Sequence, residues 1–188
     1  CGRAADVQKE IQFVLEREQL THTLVDLQEA GKLPLRVTHN DTKLNNIMID
    51  NATHKGICVI DLDTVMPGLS LNDFGDSIRF GASTAAEDEQ DISKVFCDLH
   101  LFEVYVKGFL KGCGGALTDL EVEMLPMGAI LMTFECGMRF LADHLEGDHY
   151  FRIHRENQNL DRARTQFKLV WDMEQKLSEM KAIVEKYK

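Results

Sequence analysis

The hydrophobic period of this chain switches from helical to extended and back within its first third, and that double switch limits the folds open to it. From Asp6 to Ala30 apolar residues recur at Val7, Ile11, Val14, Leu20, Leu24 and Leu27 with charges between them. That spacing makes one face of a long amphipathic helix, with Gly31 placed to stop it. From Leu35 to Asp63 the pattern breaks into short apolar runs: Leu35–Thr38, Ile47–Ile49 and Ile57–Ile60. The segment Asp50–Gly56, between the last two, is rich in turn formers. It predicts a small β-hairpin whose ends both run into acidic loops.

After Gly68 the helical period returns and stays. Ile92, Val95, Phe96, Leu99, Phe102, Val106 and Phe109 predict a helix within Ala85–Lys111, closed by Gly112. Thr118-Asp119-Leu120-Glu121 has the form of a capping box, opening a helix to about His144. Glu146–Asn159 predicts a loop, and apolar residues from Leu160 to Val184 predict a final helix. The expected fold class is mainly α with a small β-hairpin (α+β), to which a content of only three prolines is suited. With 188 residues, one domain can bury a real core.

Composition excludes several functions. The 31 acidic and 21 basic residues leave a net charge of −10, which argues against phosphate-backbone binding to nucleic acid and against docking on an anionic membrane. Five cysteines, odd in number and without a CxxC pair, point to neither a zinc ribbon nor a dithiol redox site. Free, mostly buried thiols in a reducing cytoplasm are the expectation. Cys1–Asp6 has no signal-peptide form, no apolar run approaches the roughly 18 residues of a membrane span, and an opening on Cys without Met reads as a trimmed chain.

The informative stretch is His39-Asn40-Asp41-Thr42-Lys43-Leu44-Asn45-Asn46, followed by Val59-Ile60-Asp61-Leu62-Asp63. Phosphoryl transfer from a nucleotide needs a carboxylate to accept the hydroxyl proton and hard oxygen ligands for Mg²⁺ beside it. A loop between two short strands can aim Asp41 and Asn46 into one space, and Asp61 leaves the hairpin into the same space. Magnesium keeps several waters, so one Asn and one Asp suffice. Asp63 is equally a second metal ligand or a turn cap, and Lys43 either a phosphate contact or a surface lysine. Asp73 and Asp76 read as capping and loop-bracing residues. Arg139 lies in the largely apolar stretch Phe134–Phe140, so its charge must be paired or face a cleft. Tyr150 by itself is an ordinary half-buried tyrosine. His144 and His149 do not have zinc spacing.

These motifs resemble the catalytic and metal loops of the protein-kinase-like phosphotransferases, in particular the aminoglycoside and choline kinase branch. Within it, Thr38–Asn46 and Val59–Gly68 are similar to the N-acetylhexosamine 1-kinases. Asp73-Phe74-Gly75-Asp76, Gly147–Arg152 and Asn159–Thr165 continue the likeness, which spans about residues 35 to 170. The resemblance implies Asp41 as catalytic base, Asn46 and Asp61 holding Mg²⁺ against the nucleotide phosphates, Lys43 near the transferred phosphate and His39 bracing the loop. It also implies sugar contacts from Arg139 and Tyr150, with the γ-phosphate of ATP passing to the anomeric oxygen of N-acetylglucosamine or N-acetylgalactosamine.

The implied organisation is a linker helix over residues 1–34 and the C-terminal large lobe of the protein-kinase-like fold over 35–188, its catalytic hairpin at 35–67. Nothing before Leu35 offers the glycine-rich loop or the Val-Ala-x-Lys strand of an N-terminal ATP-clamping lobe. Weak or absent turnover by this chain is therefore expected. Its partners would be a small sugar and a nucleotide, not nucleic acid or membrane. Two alternatives stand beside this: a different acceptor such as choline, homoserine or an aminoglycoside, and a non-catalytic helical module that self-associates through the surface left by the missing lobe.

Overall fold

Helix α6 (Leu125–Glu146) is the axis of the molecule in a computed structural model that describes residues 1–188. Two helices lie against it, α3 (Ser70–Gly81) and α7 (Gln158–Gln175). Small residues allow the close approach. A Cβ on Gly75 would sit 2.3 Å from the carbonyl oxygen of Gly128, and one on Gly137 would sit 2.7 Å from the Phe167 ring. Around these crossings the core collects Phe74, Phe134 and Phe167, with Phe74 edge-on to Phe102 at 5.9 Å. Helices α4 (Leu99–Cys113), α5 (Asp119–Glu123) and α8 (Leu177–Tyr187) close the far side. Two N-terminal helices, α1 (Gln8–Leu15) and α2 (Glu18–Glu29), pack on α7 and α6, where Phe13 stacks on Phe167 at 4.9 Å.

The extended region forms two separate antiparallel ladders. Strands β2 (Ile47–Ile49) and β3 (Gly56–Val59) make the expected hairpin. Strand β1 (Arg36–Thr38) instead pairs with β4 (Met66–Gly68), in the register Arg36↔Gly68 and Thr38↔Met66. This second ladder brings the two ends of the 35–67 region together, so the hairpin and its flanking loops leave the helical body and return at one place. Ile47, Met48, Ile49, Ile57 and Val59 remain exposed on the hairpin.

The mainly α class holds, but several helix boundaries move, each for a local reason. The single helix expected over Asp6–Ala30 is a 3-10 turn at Arg3–Val7 followed by α1 and α2. The break falls at Arg17 (φ −111°), whose guanidinium lies 3.5 Å over the Phe13 ring and pairs with Glu174 at 2.8 Å. Of the helix expected over Ala85–Lys111 only α4 forms. The Asp98 carboxylate caps it by accepting from the His100 and Leu101 N–H groups, and Gly114, not Gly112, ends it in the left-handed region. The Thr118 capping box is present, but α5 ends at Met124 because Pro126 falls in the first turn of α6. The final helix is parted at Lys176, whose ammonium donates to Asp172 at 2.7 Å and to the Cys97 carbonyl at 2.9 Å. Contrary to expectation, one helix is long and apolar enough to cross a membrane: α6, with mean hydropathy 1.2. It is a core helix, covered by α3 and α7. The five cysteines are free, with Cys1 and Cys58 exposed.

Candidate active site

Residues His39–Asn46 leave β1 as an irregular loop that turns back toward the hairpin. Asn40 takes a left-handed backbone (φ 63°), and two consecutive main-chain N–H groups, of His39 and Asn40, donate to the two oxygens of Asp73 at 2.8 and 2.7 Å. A carboxylate accepting a pair of amides holds a strained turn that would otherwise relax. Thr42 Oγ1 donates to the Asp73 carbonyl at 2.6 Å and Thr64 Oγ1 to the His39 carbonyl at 2.7 Å. The loop is thus bolted to the first turn of α3 and to the 62–64 turn. The bracing role expected of Asp73 is the one its geometry has.

His39 is a spacer inside this loop. Its Nδ1 accepts from the Asp41 N–H at 3.3 Å and Nε2 lies 3.0 Å from the Ile60 carbonyl, so the ring carries its proton on Nε2 and donates it there. Both nitrogens are engaged, which leaves the imidazole to tie the loop to the end of β3.

Asp41, Lys43 and Asn46 converge. The Asp41 Oδ2 accepts from Lys43 Nζ at 2.8 Å and from Asn46 Nδ2 at 2.8 Å, and Asn46 Nδ2 also reaches the Asp41 carbonyl at 2.9 Å. Partial burial pushes the Asp41 carboxyl up, but the hydrogen bonds from Lys43 and Asn46, and the charge of Lys43, outweigh it and hold the carboxyl below its ordinary range. Asp41 is therefore ionised at neutral pH and able to accept a proton. Lys43 is raised, first by its bond to Asp41 and further by the charges of Asp61 and Asp76, so it is a fixed cation.

The two metal-ligand candidates differ in placement. Asn46 is buried and spends its Nδ2 on Asp41, leaving Oδ1, the oxygen a hard cation takes. Asp61 sits beyond β3 in a left-handed conformation (φ 64°), exposed and close enough to Lys43 to be felt by it. Asn46 and β3 are tied by the bond from Ile60 N–H to the Asn46 carbonyl at 3.0 Å. Asp63 lies in the following 3-10 turn, exposed and in hydrogen-bond contact with none of the others. No group of three His, Cys, Asp or Glu side chains is placed to hold a metal ion. The donors present are two hard oxygens, an amide and a carboxylate. That set fits Mg²⁺ with most of its waters retained and does not fit zinc.

Arg139 and Tyr150 form a second cluster, not in contact with Asp41. Arg139 Nη2 donates to the Tyr150 hydroxyl at 3.4 Å, its guanidinium carbon lies 5.7 Å from the Tyr150 ring centre and 5.4 Å from that of Phe151, and Glu135 is 3.7 Å away. The charge on the apolar helix is thus paired and half exposed, as the sequence required. Burial pushes the Glu135 carboxyl up against the pull of Arg139 and Arg79, and the Asp76 charge adds to the rise. Asp76 acts on Lys43 as well, so one carboxylate on α3 lies within electrostatic reach of both clusters. It is held by Arg79, at 2.8 Å, and Arg79 in turn reaches Glu87 at 3.0 Å. Sequence reasoning missed this Arg79 clamp. Its only signal was an arginine one turn after Asp76 on α3.

The model for the family described as "phosphotransferase enzyme family" matches residues 1–99, just over half of the 188. The match takes in β1, the His39–Asn46 loop, the hairpin and α3, and it stops before the helix that carries Arg139. The matched residues include the loop that presents ionised Asp41 beside Lys43 and Asn46, and with a match over more than half of its length this chain belongs to the phosphotransferase enzyme family.

Proposed function

We propose that the chain is the acceptor-binding part of an ATP-dependent sugar kinase acting on N-acetylhexosamine. On this reading the anomeric hydroxyl gives its proton to Asp41 as its oxygen bonds to the γ-phosphorus. The bond from that phosphorus to the β,γ-bridging oxygen breaks and ADP leaves. Lys43 offsets charge on the transferred group. Mg²⁺, when bound, neutralises the phosphates, and Asn46 and Asp61 are the residues to hold it, with Asp63 the nearest further carboxylate in sequence. His39 braces the loop. Arg139 and Tyr150 take the sugar, supported by the similarity of Gly147–Arg152 to the hexosamine kinases.

The observation that carries this is the Asp41–Lys43–Asn46 cluster, in which an ionised carboxylate is held at 2.8 Å by two side chains yet stays partly open to solvent. Calorimetric titration with N-acetylglucosamine and N-acetylgalactosamine tests it. Binding is expected in the wild-type chain and lost in Asp41→Ala and Arg139→Ala. Binding of choline, homoserine or an aminoglycoside instead would move the acceptor and keep the chemistry.

The exposed apolar hairpin favours a second reading. Ile47, Met48, Ile49, Ile57 and Val59 present more apolar surface than a short two-stranded ribbon keeps in water by itself. On this reading the surface is where two copies of the chain associate. Sedimentation that shows a monomer at all concentrations would dismiss self-association.

A further inference from the structure

The segment between α6 and α7 carries Tyr150, yet almost nothing in the Tyr150 side chain holds it. The residue is 73% exposed, and its ring meets only Arg139 and the edge of Phe151, at 4.7 Å between centres. Its position is set from below. Asp143, on the last turn of α6 and only 3% exposed, accepts from three consecutive backbone N–H groups: His149 and Tyr150 on Oδ1 at 2.9 and 2.7 Å, and Phe151 on Oδ2 at 2.9 Å. Asn159 Nδ2 donates to the same Oδ2 at 2.8 Å and to Asp148 Oδ1 at 2.9 Å. Arg3 closes the ring by pairing with Asp148. The chain enters this arrangement through two residues with positive φ, Gly147 at 111° and Asp148 at 64°.

Four donors on one buried carboxylate are more than helix termination requires. Gly147 already ends α6 by donating to the Asp143 and His144 carbonyls. The extra contacts all fall on the turn that presents Tyr150, and Phe151 in that turn packs on Phe140 at 4.6 Å. We propose that Asp143 is a positioning residue for acceptor recognition: it fixes the backbone of His149–Phe151, and through it the Tyr150 hydroxyl against Arg139. The proposal rests on the reading that Arg139 and Tyr150 receive the acceptor. Asp143 does not touch the acceptor and acts only through Tyr150.

Asp143→Asn keeps the size of the side chain but turns one acceptor into a donor facing the Phe151 N–H and the Asn159 amide. A charge-assisted bond lost in this way predicts about a tenfold weaker affinity for N-acetylglucosamine by calorimetry. Tyr150→Ala is expected to weaken binding by a similar factor. The double variant is expected to bind no worse than Tyr150→Ala alone, because both act through one group. Asn159→Ala, which removes one of the four donors to Asp143 along with the bonds to Asp148 and from Arg162 but leaves the carboxylate in place, is expected to lose about threefold and to lose nothing further once Tyr150 is alanine. That milder variant carries the test if circular dichroism finds Asp143→Asn unfolded. Losses that multiply in the double variants, or wild-type affinity in Asn159→Ala and Asp143→Asn, would overturn the proposal alone. A wild-type chain that takes no N-acetylhexosamine would overturn the reading of the site, and this proposal with it.

Discussion

Replacing Glu121 by glutamine would separate the electrostatic support of the 36–46 region from its packing. The Glu121 side chain is 1% exposed and receives four donors: Arg36 Nε at 3.1 Å, Arg36 Nη2 at 2.6 Å, Ser70 Oγ at 2.8 Å and the Thr118 N–H at 2.8 Å. Arg36 opens β1, three residues before His39, and Ser70 opens α3. Burial raises the Glu121 carboxyl, but the Arg36 bond and then the Thr118 and Ser70 donors outweigh it and bring it from 4.5 to about 2. The folded value lies below the unfolded one. The carboxylate therefore contributes fully above pH 4.5, and its contribution drains away as pH falls toward 2. At about 1.4 kcal/mol for each pH unit, that gap amounts to about 3 kcal/mol. The same amount should be missing from Glu121→Gln at pH 7, where Arg36 keeps the Ala116 carbonyl at 2.8 Å and one neutral amide oxygen in place of the two carboxylate oxygens. Urea unfolding followed by Trp171, the single tryptophan, measures both quantities. Other carboxylates also titrate in this range, so the comparison is the difference between wild type and variant. That difference should be about 3 kcal/mol at neutral pH and shrink steadily between pH 4.5 and pH 2. Unfolding curves that stay parallel through that window would refute the reasoning.

Other perturbations test the loop and the helix crossing. Asp73→Ala leaves the His39 and Asn40 amides without an acceptor beneath a left-handed residue. It should cost about 3 kcal/mol in denaturant unfolding and speed amide exchange at both positions. Lys43→Met removes the donor and cation that hold the Asp41 carboxyl down, so the Asp41 titration followed by carbon NMR should move up, toward or past its ordinary value. Gly75→Ala forces a Cβ to within 2.3 Å of the Gly128 carbonyl and should lower stability by about 1–3 kcal/mol in calorimetry. Gly108→Ala, in α4 with nothing within 4 Å, should instead raise it by about 0.5–1 kcal/mol.

What could be read from the sequence was whatever is written locally. The hairpin, the Thr118 capping box and the closure of α6 follow from turn formers, caps and period, which act over a few residues. The His39–Asn46 loop was legible as chemistry because its residue types sit close in sequence, and the structure places Asp41, Lys43 and Asn46 within direct contact. The failures share a different cause. Helical period continued past Arg17 and Lys176, where the chain breaks because those side chains find partners far away in sequence, Glu174 and the Cys97 carbonyl. The pairing of β1 with β4 was missed because both strands are three residues long and their register is fixed by the loops between them. Asp143 was hidden for the same reason: within an apolar helix a lone aspartate gives no sign that three amides of a later turn will reach it.

The contact of main chain with main chain at Gly75 and Gly128 has a consequence for how an enzyme of this kind can diversify. A Cβ added at either glycine would strike a main-chain oxygen, with the Met132 and Leu71 side chains flanking the contact. The span from the loop bolted to α3 to the turn of α6 that bears Arg139 is a ruler set at this crossing chiefly by backbone. Drift in core side chains elsewhere leaves that contact in place, and on the proposed reading a new acceptor is not accommodated by stretching it. On the proposed reading, room for change lies at the outer end, in the side chains of the turn that presents Tyr150, which is held by Asp143 and does not touch the Asp41 loop. On that same reading, such a design separates where a phosphoryl group is delivered from which molecule presents the hydroxyl.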